Sequence, residues 1–178
     1  MRNLFFNGIL CVAFIAMGCA GPEKPEGMPD LLPVTLVLTQ DGTPLAGANV
    51  ALAPVEQTAG RNWTSGGMTD ESGTVVISTY GKFRGAPAGT YKVALRKTKE
   101  TGPISRDDGP EGIAEYKQWE AEHAKELAQI KTVSCIEKAY TSAATTPLEI
   151  TVDQGNTRFE LNAGKSVEEE IKRTRHGM

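Results

Sequence analysis

Histidine, cysteine and aromatic side chains are scarce in this chain of 178 residues, which has two His, three Cys and 6% Phe, Trp and Tyr. His123 and His176 have no spacing suited to a zinc site. Three cysteines close at most one internal disulfide, which excludes a disulfide-stapled miniprotein. The charge-free apolar run Gly8 to Gly18 has 11 residues, whereas a bilayer-spanning helix needs about 20. A net charge of −3 offers no general attraction for nucleic acid. Gly164-Lys165-Ser166 matches only the end of a P-loop, because Phe159 stands where the first glycine belongs. Asp107-Asp108 and Asp70-Glu71 lack the alternating oxygen ligands of a calcium loop. A serine nucleophile elbow is also missing. The expectation is a non-enzymatic protein with no catalytic set, no metal and no cofactor. What is plentiful is ordinary: 39% hydrophobic residues, 19 Gly and 10 Pro are values of a globular domain with appendages.

The first appendage is an address. Met1-Arg2-Asn3 is a short positive start, and the apolar run that follows has the length of a secretory core segment. That run ends in Ala16-Met17-Gly18-Cys19, which resembles the bacterial lipobox. Gly18 is the small residue before the cysteine, while Ala16 and Met17 stand where Leu and a small residue are usual. The resemblance implies that residues 1–18 are a signal peptide and that Cys19 is lipidated. Two or three acyl chains on one cysteine hold a protein to a membrane far more firmly than a single chain. The expected place is the cell envelope, membrane-anchored and facing the periplasm or the exterior. The alternative is ordinary secretion, with cleavage after Gly18 or Ala20. Cys11 would leave with the signal, and Cys135, beside Val133 and Ile136, reads as a small buried hydrophobe. Residues 19–32 interleave three prolines and two glycines with charges, the composition of a solvated tether.

From Val34 the hydrophobic period is two. Val34, Leu36 and Leu38 alternate with Thr35, Val37 and Thr39, and Asp41-Gly42 supplies a tight turn. Asn49 to Pro54 repeats the pattern through Val50 and Leu52, and Trp63 to Thr69 is a third strand. Asp70-Glu71-Ser72-Gly73 turns into a fourth, Thr74 to Thr79. Tyr91, Val93 and Leu95 mark a fifth, and Leu148, Ile150 and Val152 a sixth. Gln154-Gly155-Asn156 turns into a seventh, Thr157 to Leu161, with Phe159 and Leu161 inward. Seven short strands with one apolar face each bury those faces as two packed sheets. The expected fold is mainly β, an antiparallel seven-stranded β-sandwich over residues 33–162.

Between residues 99 and 135 the period lengthens. Asp107, Asp108, Pro110 and Glu111 suit a first helical turn. Tyr116, Trp119, His123 or Ala124, Leu127 and Ile130 then recur every three or four residues. This spacing predicts one inserted amphipathic helix of about five turns. Its stripe reads as a docking face onto the host domain, and in functional terms as a partner-binding groove or lid. Ser166-Val167-Glu168-Glu169 has capping-box spacing, so the charged tail, residues 163–178, is expected to be a short exposed helix or a frayed end. Trp63, on a Gly-rich loop, either covers the sandwich edge or stacks on a sugar ring.

Three turn motifs carry a family resemblance. Leu38-Thr39-Gln40-Asp41-Gly42-Thr43-Pro44-Leu45-Ala46-Gly47-Ala48-Asn49-Val50 resembles the opening hairpin of carboxypeptidase regulatory-like domains. Thr69-Asp70-Glu71-Ser72-Gly73-Thr74-Val75 is similar to that family's second signature, and Gly85-Ala86-Pro87-Ala88-Gly89-Thr90-Tyr91-Lys92-Val93 to its third. Tyr140 and Thr145-Thr146-Pro147-Leu148 resemble the return segment of envelope lipoproteins built on this domain. Ile136-Glu137-Lys138-Ala139-Tyr140 departs from it, since relatives have a proline before a basic residue and the tyrosine. The resemblance implies an Ig-like, transthyretin-like sandwich used as a folding or adhesion module. Transthyretin-fold hydrolases rely on strand histidines, which this chain lacks. The expected function is a lipid-anchored, non-enzymatic envelope module with a binding or structural role, its partners the membrane and an envelope protein or polysaccharide. The alternative is a small-ligand-binding or hydrolytic protein with a site between the inserted helix and the sandwich, lined by Tyr116, Trp119 and His123.

Overall fold

The computed structural model of the protein describes residues 23–56 and 62–171. The expected signal peptide and Cys19 lie outside the described residues. In chain order the strands are β1 (Leu31–Leu32), β2 (Thr35–Gln40), β3 (Thr43–Pro44), β4 (Asn49–Pro54) and β5 (Ser65–Met68). There follow β6 (Thr74–Val76), β7 (Ser78–Thr79), β8 (Phe83–Arg84), β9 (Ala86–Pro87) and β10 (Gly89–Arg96). The last are β11 (Thr98–Thr101), β12 (Lys131–Ile136), β13 (Glu149–Val152), β14 (Arg158–Asn162) and β15 (Ser166–Glu170). Helices α1 (Ile113–Glu122) and α2 (Ala124–Leu127) lie between β11 and β12.

The molecule is a β-sandwich with an inserted helical segment. One sheet has six strands in the order β13-β10-β4-β5-β7-β8, and the other joins β14, β2, β3 and β6. The alternation read from the sequence sets which side chains face inward. Leu36 and Leu38 from the smaller sheet meet Val50, Leu52, Val93, Leu95, Ile150 and Val152 from the larger one in a single core. Phe159 and Leu161 pack against that core half-buried, because β14 is an edge strand with only β2 beside it. Among the described residues every strand pair is antiparallel except β14–β2, which is parallel. The Gln154-Gly155-Asn156 turn therefore forms as expected but carries the chain from one sheet to the other instead of closing a hairpin.

The first two motifs interlock at one end of the sandwich. Asp41 and Gly42 both have positive φ, 49° and 76°, as a two-residue hairpin turn requires. Thr69 Oγ1 donates to the Leu45 carbonyl at 2.6 Å and accepts from the Ala48 amide at 2.8 Å, so the second motif ties down the first. Gly73, at φ 74°, lets the turn press against the opening hairpin. A Cβ there would push into the Leu38 carbonyl and lie 2.9 Å from the Leu45 nitrogen. Tyr91 closes the third motif by donating to the Pro87 carbonyl at 2.8 Å.

The region beyond the seven strands differs from expectation in three ways. The insertion is an arm: β11 and β12 pair as antiparallel strands, and the helices cap their far end. The five-turn helix is shorter and broken, because His123 leaves helical geometry (φ −103°, ψ 18°) between α1 and α2. The acids and Pro110 do not start it. Ser105 and Asp108 form a capping box on a single 3-10 turn, Arg106–Asp108, and α1 begins after Gly112. Finally, the tail is no helix over Ser166–Glu170: it is strand β15, paired antiparallel with β12. Backbone pairing with β12 takes the place of helical turns here, and two exposed ion pairs accompany it. Glu168 pairs with Lys99 of β11 and Glu170 with Lys131 of β12, the latter at 2.9 Å.

Gln40 locks the arm to the sandwich. Its buried amide donates to the carbonyls of Cys135 and Lys165, both at 3.0 Å, where β12 shifts register. Asp41 accepts from the Ser166 amide at 2.7 Å. Cys135 is buried and unpaired, with its amide bonded to the Lys97 carbonyl.

Candidate functional site

The expected site residues fall into two separate aromatic clusters. Tyr116, Trp119 and His123 are brought together on one face of α1. Tyr116 and Trp119 have ring centroids 5.5 Å apart, and Trp119 stacks on His123 at 4.9 Å with planes 28° apart. His123 continues the column through backbone geometry. Its amide donates to the Trp119 carbonyl, and its Nδ1 lies 2.9 Å from that same oxygen.

The stripe does not dock on the sandwich. No residue of α1 or α2 is buried, and Ile113 is 80% exposed. The half-buried face of α1 is covered by its own loop instead. A Cβ on Gly109 would come within 2.6 Å of the Tyr116 ring and 3.0 Å of Trp119. Gly109 is thus a gap that admits two rings. The principal neighbour of α1 is α2, and no sandwich strand is among its main contacts. Among the described residues, the helices that the alternative reading set over the sandwich have no main contact with a sandwich strand.

Trp63 lies elsewhere, just before β5, half-buried beside Tyr80. Their ring centroids are 5.6 Å apart and tilted by 55°. Tyr80 is a residue that sequence reasoning missed. With Gly81 it forms the turn between β7 and β8, both at positive φ (54° and 65°), and the Lys82 amide closes the turn on the Thr79 carbonyl. This position normally takes Asn, Asp or Gly. A tyrosine there costs conformational energy, yet its ring is 46% exposed and its hydroxyl donates to the Asn62 carbonyl at 3.2 Å. The signal available in the sequence is Tyr80-Gly81 itself, an unusual dipeptide for a tight hairpin turn.

The titratable groups whose proton affinity is shifted all have structural explanations. Asp70 is held below the usual carboxylate range by the Ser72 hydroxyl first, then by the Thr74 and Ser72 amides that close its turn. Burial raises the Tyr91 phenol. Lys99 is raised by its hydrogen bond to Glu168 and by that carboxylate's charge. Every buried side-chain nitrogen or oxygen among the described residues has a hydrogen-bond partner. Among them, too, no group of three or more His, Cys, Asp or Glu is placed to hold a metal. No helix among the described residues is long and apolar enough to cross a membrane.

Compared with protein-family models, with curated proteins and with solved structures, the chain matches none.

Proposed function

We propose that the protein is a lipid-anchored, non-enzymatic module of the cell envelope with a binding or structural role, its β-sandwich carried on a tether from Cys19. The observation that carries this reading is Ala16-Met17-Gly18-Cys19 at the end of an apolar run, followed by a proline-rich charged stretch and then a sandwich. We further assign the sandwich to the carboxypeptidase regulatory-like class with a transthyretin-like arrangement. The order of the three motifs supports this, as does the corner in which Thr69 and Gly73 tie the second motif to the first.

A binding role is favoured over chemistry by where polar groups go. The shifted groups Asp70, Tyr91 and Lys99 each serve a turn, a core or an ion pair, whereas catalytic groups converge on a shared cleft. The half-buried cluster Tyr116/Trp119/His123 on the arm, remote from the sheet face of Arg84, suits contact with an envelope protein or a polysaccharide, since partly exposed rings gain from stacking. Fractionation of cells producing Cys19→Ala tests the anchor. The variant protein is expected in the soluble envelope fraction while the parent sediments with membranes. Equal membrane retention of the two overturns the reading.

A further inference from the structure

The outer face of the six-stranded sheet combines cations, exposed apolar side chains and the point where the tether meets the fold. Direct cross-strand pairing places Ala94, Ala51, Gly66, Ser78 and Arg84 in one row across five strands. The alternation that sends Val93, Val50, Ser65, Thr79 and Phe83 inward turns this row outward. The row on one side is Arg96, Asn49 and Met68, and on the other Glu149, Lys92 and Ala53. Small side chains at the centre leave the face flat. Met68 is 64% exposed, and Val55, at the end of the same strand register as Ala51 and Ala53, is 50% exposed.

Charge on this face opposes that of the whole molecule. Lys92 is matched by Glu149 at 2.9 Å, but Arg84 and Arg96, at opposite sides of the sheet, make no ion pair among the described residues. The face is therefore positive on a chain of net charge −3. The chain leading from Cys19 joins the fold here as well. β1 pairs with β9, immediately after β8, and a Cβ on Gly85 would touch the Leu31 side chain. The tether thus meets the sandwich beside Arg84.

We propose that this face lies against the anionic bilayer in which Cys19 is anchored. The proposal rests on the lipid-anchor reading. Twelve residues from Cys19 to Leu31 span at most about 40 Å when extended. The membrane is therefore held at high effective concentration, and a weak electrostatic attraction suffices. Unpaired arginines meet anionic headgroups, while Met68 and Val55 meet the interfacial layer. A soluble polysaccharide would gain nothing from those two aliphatic side chains.

The test uses the lipidated full-length protein reconstituted through its own anchor into phosphatidylglycerol-containing or purely phosphatidylcholine vesicles. A fluorophore is placed by Met68→Cys in a Cys135→Ala background, and for the opposite sheet by Glu160→Cys, an exposed position. Quenching by headgroup-spin-labelled lipid is expected at position 68 in anionic vesicles and not at position 160. It should fall by about threefold or more in neutral vesicles, in about 0.5 M salt, and with Arg84→Glu/Arg96→Glu. Equal quenching at both positions, or insensitivity to the arginine reversal, overturns the proposal while the anchor stands. Failure of the protein to float with vesicles at all removes the anchor and the proposal together. Circular dichroism of the variants, all at exposed positions apart from Cys135, confirms that each is folded.

Discussion

Replacing Gly73 by alanine forces a Cβ between two backbone segments that the opening motifs bring into contact. Gly73 has φ 74°, and the new atom would press on the Leu38 carbonyl, lie 2.9 Å from the Leu45 nitrogen and 3.3 Å from Pro44 Cα. The positive φ alone costs roughly 1–2 kcal/mol for a residue with a Cβ. Relief of the backbone collision adds about 1–3 kcal/mol, because neither strand β2 nor the Leu45 corner is a flexible side chain that can swing away. Gly42→Ala is the matched control: Gly42 has φ 76°, but a Cβ there would meet nothing within 4 Å. Equilibrium denaturation should therefore show a loss of about 2–5 kcal/mol for Gly73→Ala and about 1–2 kcal/mol for Gly42→Ala. The difference isolates the close approach from the turn strain. Equal losses would refute the claim that the motif glycine exists to let two chain segments touch.

Other expectations follow from the same contacts. Thr69→Val keeps shape but leaves the Ala48 amide without its partner, so denaturation should show a loss of about 1–3 kcal/mol, with Thr69→Ser close to the parent. Trp119→Ala should cost about 1 kcal/mol because Trp119 is only half-buried, against its own loop and neighbouring rings, whereas Leu36→Ala in the core should cost about 2–5 kcal/mol. A large loss for Trp119→Ala would contradict the undocked arm. Tyr80→Asn places a favoured residue at positive φ, so the melting temperature should hold or rise while the ring platform beside Trp63 is lost. For Asp70 the depressed folded-state value means its turn contributes stability above the ordinary carboxylate value of 3.8, and that contribution disappears as pH falls below it. The protection of the Ser72 and Thr74 amides, from NMR exchange rates divided by their intrinsic rates at each pH, should fall on acidification, and Asp70→Ala should abolish that change.

The parts legible in the sequence are those with one wet and one dry face. Leu36 and Leu38, Val50 and Leu52, Val93 and Leu95 alternate because each strand buries one side only, and all are buried as the alternation requires. The turns are legible because positive φ demands Gly, Asp or Asn. The arm is not. β11, Thr-Lys-Glu-Thr, and β15, Ser-Val-Glu-Glu-Glu, are exposed on both faces and carry no apolar period. What holds them is cross-strand pairing with β12 and the charges of Lys99, Lys131, Glu168 and Glu170, which come from three separate stretches of sequence. The Tyr116/Trp119 stripe reads as a docking face because periodicity reports an apolar side without reporting its partner. Here the partner is the chain's own loop at Gly109. Gln40 looks like the end of a strand, and only the fold shows its amide bonding carbonyls 95 and 125 residues away. Of the candidate site, the clustering of Tyr116, Trp119 and His123 follows from helical spacing, whereas the pairing of Trp63 with Tyr80 depends on sheet register.

The central claim, that this sandwich hangs from a lipidated cysteine, is tested most directly by the mass of the amino-terminal peptide of the mature protein. The expected result is a peptide beginning at Cys19 with residues 1–18 absent and diacylglycerol on its sulfur. An unmodified peptide, whether it begins after Gly18, after Ala20 or at Met1, would contradict it.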